Sequence, residues 1–345
     1  MNIVDAHTHI YHAEDGSVEL YNLLEKLNVG RVNTVSLQCC GDLTQNIAIA
    51  LGKLKHPGMT YGFAGLDHVT GRDYLSQVKQ YYASGYDGMK MLEGKPATRK
   101  KLGLALDDPS LDPFYSFLEE KQFPLVTHVA DPPEFWDKKK IPGWALEHGW
   151  FYDESFIPFE QYYTEVENML SKHPMLRAIF AHFYFLSVWP DRAQKFLDDH
   201  PSVFIDVTAG IEMYENFSKD PKMWRAFFEK NAGRIIFGTD STDVPIVDKE
   251  KIEINRHAGM EIEFLRTGNS FSHFNMTIRG LGLSEETQDQ ILRGNFVSLA
   301  GDIPKPMDTD EILKESAYLR GFIKDDAELR KMDELVKQVK QAAKA

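Results

Sequence analysis

Eight short runs rich in β-branched and aromatic residues recur through the first 240 positions: NIVDA, VNTVSL, TYGFAGL, GMKML, PLVTHV, RAIFAHF, VFIDV and RIIFGTD. Stretches long enough for a helix separate most of them, among them SVELYNLLEKLN and DRAQKFLDDH, where apolar residues return three and four apart on one face. Consecutive parallel strands need a long crossover, usually helical, so this alternation predicts an α/β fold built on a parallel sheet. Eight such units suggest a sheet closed into a TIM (β/α)8 barrel, a fold that accommodates this length as one domain. The punctuation agrees. LKHPGMTYGFAGL, SKHPMLRAIFAHF and DDHPSVFIDV each stop a helix with His-Pro and start a strand a few residues later, because proline cannot continue a helix. His56, His173 and His200 are therefore read as boundary residues.

Two segments break the rhythm. After the fifth run, residues 131–163 hold Phe135, Trp136, Trp144, Trp150, Phe151, Tyr152, Phe156, Phe159, Tyr162 and Tyr163. A long connection inside a compact domain is either a lid or an inserted subdomain whose aromatics pack on each other, and both readings stand. The expected organisation is a barrel domain over 1–305, including this lid-like insertion, and a helical C-terminal extension over 306–345. In the extension Leu329, Met332, Leu335 and Val339 fall in line, a stripe that would dock on the barrel or on a second copy of the chain in a homo-oligomer.

Composition narrows the partners. A formal net charge of -13 argues against nucleic acid or an anionic membrane surface, both of which reward clustered Lys and Arg. A small-molecule substrate is expected. No apolar stretch approaches a membrane span and no secretory leader is read, so a cytoplasmic location is the expectation. The two cysteines, Cys39 and Cys40, are adjacent, which suits a mutual bridge poorly; both are read as small buried residues at a strand end.

The chemistry lies at the ends of the runs. In VDAHTHI, His7 and His9 stand two apart and would project from one face of a strand. His128 ends PLVTH, His182 ends AIFAH and Asp240 ends IIFGTD. If these strands share one barrel, all five residues converge on its C-terminal mouth, where barrel enzymes carry their sites. Asp5 shares the parity of the two histidines and is read as an acceptor for a ligand imidazole; Asp206, ending the seventh run, could do the same or meet substrate. Glu93 is read as a solvated loop residue. His12, His68, His148, His257 and His273 are assigned to the surface.

The ordered set DAHTH, PLVTH, AIFAH and FGTD resembles the amidohydrolase superfamily, more narrowly its amidohydrolase-related branch, which also contains aromatic acid decarboxylases. The resemblance spans roughly residues 1–300 and includes LSEETQDQILRGNFVSLAG, where Asn295 precedes a short apolar run. It implies a distorted (β/α)8 barrel with one divalent ion at its mouth, zinc first and manganese as the alternative, a second ion being the lesser reading. Carried over by position, His7, His9, His128 and Asp240 match the metal ligands. Asp240 and His182 match catalytic positions, and His182 would meet substrate. Lys90 on the fourth run is either carboxylated and bridging two ions, as in some branches of the superfamily, or an unmodified ammonium that binds a substrate carboxylate, the favoured reading. Trp136 is added from the aromatic excursion.

Three imidazoles and a carboxylate leave zinc with net positive charge and an open position for a water whose pKa falls toward neutrality. The leading expectation is therefore a metal-dependent hydrolase acting through that water on an amide, lactone or related carbonyl, with Asp240 shuttling the proton and His182 polarising the carbonyl. The alternative is a metal-dependent nonoxidative decarboxylase of an aromatic or unsaturated acid, which an apolar excursion would suit. A barrel holding metal only as a staple ranks below both, since structural zinc sites are usually closed by four ligands, often cysteines.

Overall fold

The computed structural model describes residues 3–11, 13, 17–243, 249–273 and 276–344; His12 lies outside them. All eight runs form strands: β1 Ile3–His9, β2 Val29–Val35, β3 Thr60–Gly65, β4 Gly88–Gly94, β5 Leu125–Val129, β6 Ala178–Phe180, β7 Phe204–Asp206 and β8 Ile235–Ile236. A two-residue strand, β9 Ser241–Thr242, follows. Every neighbour in the order β8-β7-β6-β5-β4-β3-β2-β1-β9 pairs in parallel.

The sheet closes through a divided eighth strand. Its first half, β8, pairs with β7, and its second, β9, pairs with β1. Between them the Ala6 N–H donates to the Phe237 carbonyl at 3.0 Å, and the N–H groups of Thr239 and Asp240 both reach the His7 carbonyl at 3.3 and 2.8 Å. Gly238 makes this passage possible, since a Cβ there would stand 2.5 Å from Thr208 Oγ1 and 2.8 Å from the His7 Cβ.

Inside the barrel Val4, Ala6, Val35, Phe63, Val126, Ile179 and Ile236 form one apolar layer, stoppered at the bottom by Phe296 of the helix Asn295–Ala300. A larger shell packs the helices on the outside. His56, His173 and His200 each occupy the C-cap of a helix, as the His-Pro punctuation predicts. Cys39 is buried as expected, whereas Cys40 is exposed because a short turn after β2 points it outward.

Within 131–163, Phe135, Ala145 and Tyr152 form a small cluster with Trp136, Trp150 and Phe156 packed on it, whereas Tyr162 and Tyr163 join the outer shell. Helix Asp326–Ala342 buries Met332, Leu335 and Val339 completely in the outer shell, against the barrel helix Gln45–Lys55. Burial of each such side chain contributes roughly 1.5–3 kcal/mol. Glu328 Oε1 accepts from the Leu43 N–H at 2.8 Å, which fixes the register of that docking. Among the described residues, no helix is long and apolar enough to cross a membrane.

Candidate metal centre

Val4 and Ala6 face the barrel interior, so strict alternation would turn His7 and His9 outward. It does not, because β1 carries one extra residue: Asp5 pairs with Val32 but Thr8 pairs with Thr34, three steps against two. Such a bulge re-aims the side chains beyond it. His7 and His9 therefore turn into the mouth, while Asp5 remains behind the wall. Its carboxylate accepts from the His7 N–H at 3.1 Å, from the Thr239 N–H at 3.1 Å and from the Thr239 hydroxyl at 2.6 Å. The expectation that Asp5 holds an imidazole is thus corrected: it pins the divided eighth strand to β1.

Asp206 takes that part instead. Its Oδ2 lies 3.1 Å from His7 Nδ1, while the Val35 carbonyl lies 3.0 Å from His9 Nδ1. A carbonyl only accepts, so the His9 ring carries its proton on Nδ1. Burial raises the Asp206 carboxyl against the opposing pull of His182 and Lys90; in its ionised form it too only accepts, which puts the His7 proton on Nδ1 and leaves both lone pairs on Nε2. Both Nε2 atoms face Asp240, whose Oδ1 is 2.9 Å from His9 Nε2 and 3.8 Å from His7 Nε2. Among the described residues this is the one group whose ligand atoms all lie within 4.8 Å of one another. Two acceptors 2.9 Å apart require a proton or a cation between them, so the donor set fits a divalent ion. Asp240 reaches the position from a left-handed backbone, φ 57°.

His182 comes from an unusual turn. His182, Phe183, Tyr184 and Phe185 all have left-handed φ, between 51° and 56°, a conformation costing about 1–2 kcal/mol per residue. Burial offsets the cost: Phe183 packs among Phe217, Trp224 and Phe228, and Tyr184 among Tyr163, Phe180 and Phe196, each ring contributing on the order of 2 kcal/mol or more. The His182 N–H donates to Asp206 Oδ1 at 2.8 Å and Nδ1 lies 3.2 Å from the Thr208 carbonyl. The resulting tautomer again leaves the lone pair on Nε2. Neutral His182 therefore accepts a proton, and the expected donation to a carbonyl requires the ring to be charged first.

His128, at the end of β5, lies beside His182, ring centroids 4.8 Å apart, and His182 lies 5.8 Å from His7. Its Nε2 meets Asp131 Oδ1 at 3.0 Å, so its free lone pair is on Nδ1. Lys90 Nζ stands 3.1 Å from His7 Nε2 in full burial. Trp136 sits in the insertion, donating to the Ile157 carbonyl at 3.2 Å and packing on Tyr152 and Phe159. Thus His7, His9, His128, His182, Asp240 and Lys90 gather at one mouth, and Trp136 adjoins it through Tyr152.

Burial sets the charge states. It lowers His7 well below the ordinary imidazole value, with Lys90 acting in the same sense, lowers His128 with help from Lys95, and lowers His182 to about 3. Neutral imidazole is the ligating form. Burial brings Lys90 down to about 8 against the pull of Asp240 and Asp206. Burial alone would raise Asp240, but the hydrogen bond and charge of His9, with His7 and His182, outweigh it and hold the carboxylate far below its usual range.

Some residues were misplaced or overlooked by sequence. Glu93 is fully buried, its Oε1 accepting from His68 Nε2 at 2.8 Å, so neither is a solvated residue. His257 and His273 pair at 2.8 Å and are half-buried, while His148 is exposed as expected. Sequence reasoning leaves Asp131 without a role, although HVAD sets an acid three residues beyond a candidate ligand.

A family model described as amidohydrolase matches residues 4–295. No curated protein matches the chain by sequence. Among solved structures, 2,6-dihydroxybenzoate decarboxylase from Rhizobium is similar at 15% identity and TM-score 0.55, covering 87% of this chain and 98% of that one. A dihydroxybenzoic acid decarboxylase from Polaromonas, with bound manganese and an inhibitor, gives 15% identity and TM-score 0.52 over 87% and 97%. The 4-oxalomesaconate hydratase of Rhodopseudomonas palustris gives 12% identity and TM-score 0.51 over 92% and 99%. At these identities the likeness is one of fold.

Proposed function

The chain belongs to the amidohydrolase family, and from that premise we propose that it is a hydrolase dependent on one divalent ion, zinc or else manganese, acting on an amide, lactone or related carbonyl substrate. The observation that carries the reading is the approach of His7 Nε2, His9 Nε2 and Asp240 Oδ1 to within 4.8 Å, with the far side of each imidazole already bonded. These three, with His128 beside them, would hold the ion, and the set contains none of the cysteines usual in a structural staple. When bound, a divalent ion supplies Lewis acidity, lowering the pKa of a water and polarising a carbonyl.

The protein's own groups then have distinct tasks. Asp240, ionised at neutral pH, accepts a proton and delivers it to the leaving group. His182, neutral and unprotonated at Nε2, is a second acceptor that donates only after it has gained a proton. Lys90 donates to the His7 lone pair in this structure; once that lone pair is engaged, the ammonium is available to a carboxylate of the substrate.

That buried cation favours one second reading, a decarboxylase of an aromatic or unsaturated acid, the activity named for two of the proteins sharing this fold. Incubation of the metal-loaded protein with a lactone series and with hydroxybenzoates separates the two. Ring-opened acid without CO₂ is expected; CO₂ release from the hydroxybenzoates, with the lactones untouched, replaces the hydrolase by the lyase.

A further inference from the structure

His128 stands outside the three converging donors, and a network of its own holds it. Asp131, buried to 3% exposure, takes the His128 Nε2–H on Oδ1 at 3.0 Å and the Lys95 ammonium on the same oxygen at 3.1 Å. The Tyr152 hydroxyl donates to its other oxygen, Oδ2. Tyr152 is an insertion residue: its N–H donates to the Phe135 carbonyl at 2.9 Å and its ring lies 4.6 Å from Trp136 and 4.9 Å from Phe156. Lys95 in turn lies over the Trp150 ring at 4.9 Å. Two aromatic residues of the insertion therefore bear on one carboxylate, and that carboxylate bears on one imidazole.

A neutral imidazole has a single lone pair, and the proton on the other nitrogen decides where it sits. An acceptor at Nε2 places it on Nδ1, and a charged acceptor makes Nδ1 a better donor to a cation. We propose that Asp131 is a positioning residue that recruits His128 as the fourth ligand, and that the insertion, through Tyr152 on Asp131 and Trp150 on Lys95, governs how firmly that ligand is offered. The inference rests on the metal-centre reading. It gives the insertion a task at the ion that does not depend on covering the mouth.

The test is a double-mutant cycle read as metal affinity. Apo-protein freed of metal by chelator is titrated with Co²⁺, followed by its visible absorption and by competition with a chromogenic chelator. The thermal midpoint of each apo-protein confirms that it is folded. Asp131→Asn should weaken Co²⁺ binding about 10- to 100-fold, the range for removing the partner of a ligand histidine. His128→Ala should weaken it comparably, and the double variant no further than His128→Ala alone. Tyr152→Phe, which removes one hydroxyl from a packed ring and leaves every candidate ligand intact, should weaken it severalfold. Variants that bind within twofold of the parent, or losses at 131 and 128 that simply add, overturn the inference while leaving the metal centre standing. A parent protein that takes up no Co²⁺ removes the metal centre, and the inference falls with it.

Discussion

Replacing Asp206 by Asn should separate metal affinity from folding. In the parent, Asp206 Oδ1 accepts the N–H groups of His182 and Thr208 at 2.8 and 3.1 Å, and Oδ2 meets His7 Nδ1 at 3.1 Å. An asparagine keeps one oxygen, and the two N–H groups claim it, so its NH₂ must face His7. An NH₂ only donates, which drives the His7 proton from Nδ1 to Nε2, the nitrogen that faces Asp240 and Lys90. Binding an ion then requires the ring to return to its former tautomer against an unsatisfied donor, at a cost of about 1–3 kcal/mol. That is roughly a five- to 150-fold loss of affinity. Calorimetric titration of apo-protein with Zn²⁺ reads the loss directly, and the apo thermal midpoint should move by only a degree or two because both backbone bonds survive. Zinc affinity within twofold of the parent would refute the assignment of Asp206 as the group that sets the His7 tautomer.

Asp240→Asn should reduce turnover at least about 100-fold, the usual scale for losing a general acid-base group; steady-state kinetics on the metal-loaded variant, at metal concentrations that keep the site filled, make the check. Leu335→Ala, at the fully buried centre of the tail helix, should cost about 2–5 kcal/mol in urea unfolding if the tail folds with the barrel; a loss under 1 kcal/mol would mean that the tail detaches first. Glu261 is fully buried, and burial, reinforced by Asp5, pushes its carboxyl well above the ordinary value. Above the unfolded value of 4.5 the native state holds a proton that the unfolded chain has released, so stability falls as pH rises toward the folded value. Glu261→Gln removes this slope, about 1.4 kcal/mol per pH unit, and its advantage in denaturation midpoint should widen as pH rises above 4.5.

The sequence alone determined the eight strands, their order and the His-Pro boundaries, because those signals are local: side-chain periodicity and the backbone limits of proline act within a few residues. It also placed His7, His9, His128, His182 and Asp240 at strand ends, and the parallel sheet brings such ends to one mouth whatever the loops do. Tertiary structure decided what lies opposite each group. A single extra residue in β1 turns the two histidines to the face opposite Asp5, and no pattern in VDAHTHI marks it. Asp206 serves His7 across 199 positions of sequence, and Asp5 meets Thr239 across 234. Glu93 is buried because β3 and β4 bring His68 to it, and the tail helix lies on Gln45–Lys55 because its apolar stripe finds a matching one there. A carboxylate's partner depends on which strands are neighbours and in what register, and register is a property of the closed sheet rather than of any stretch within it.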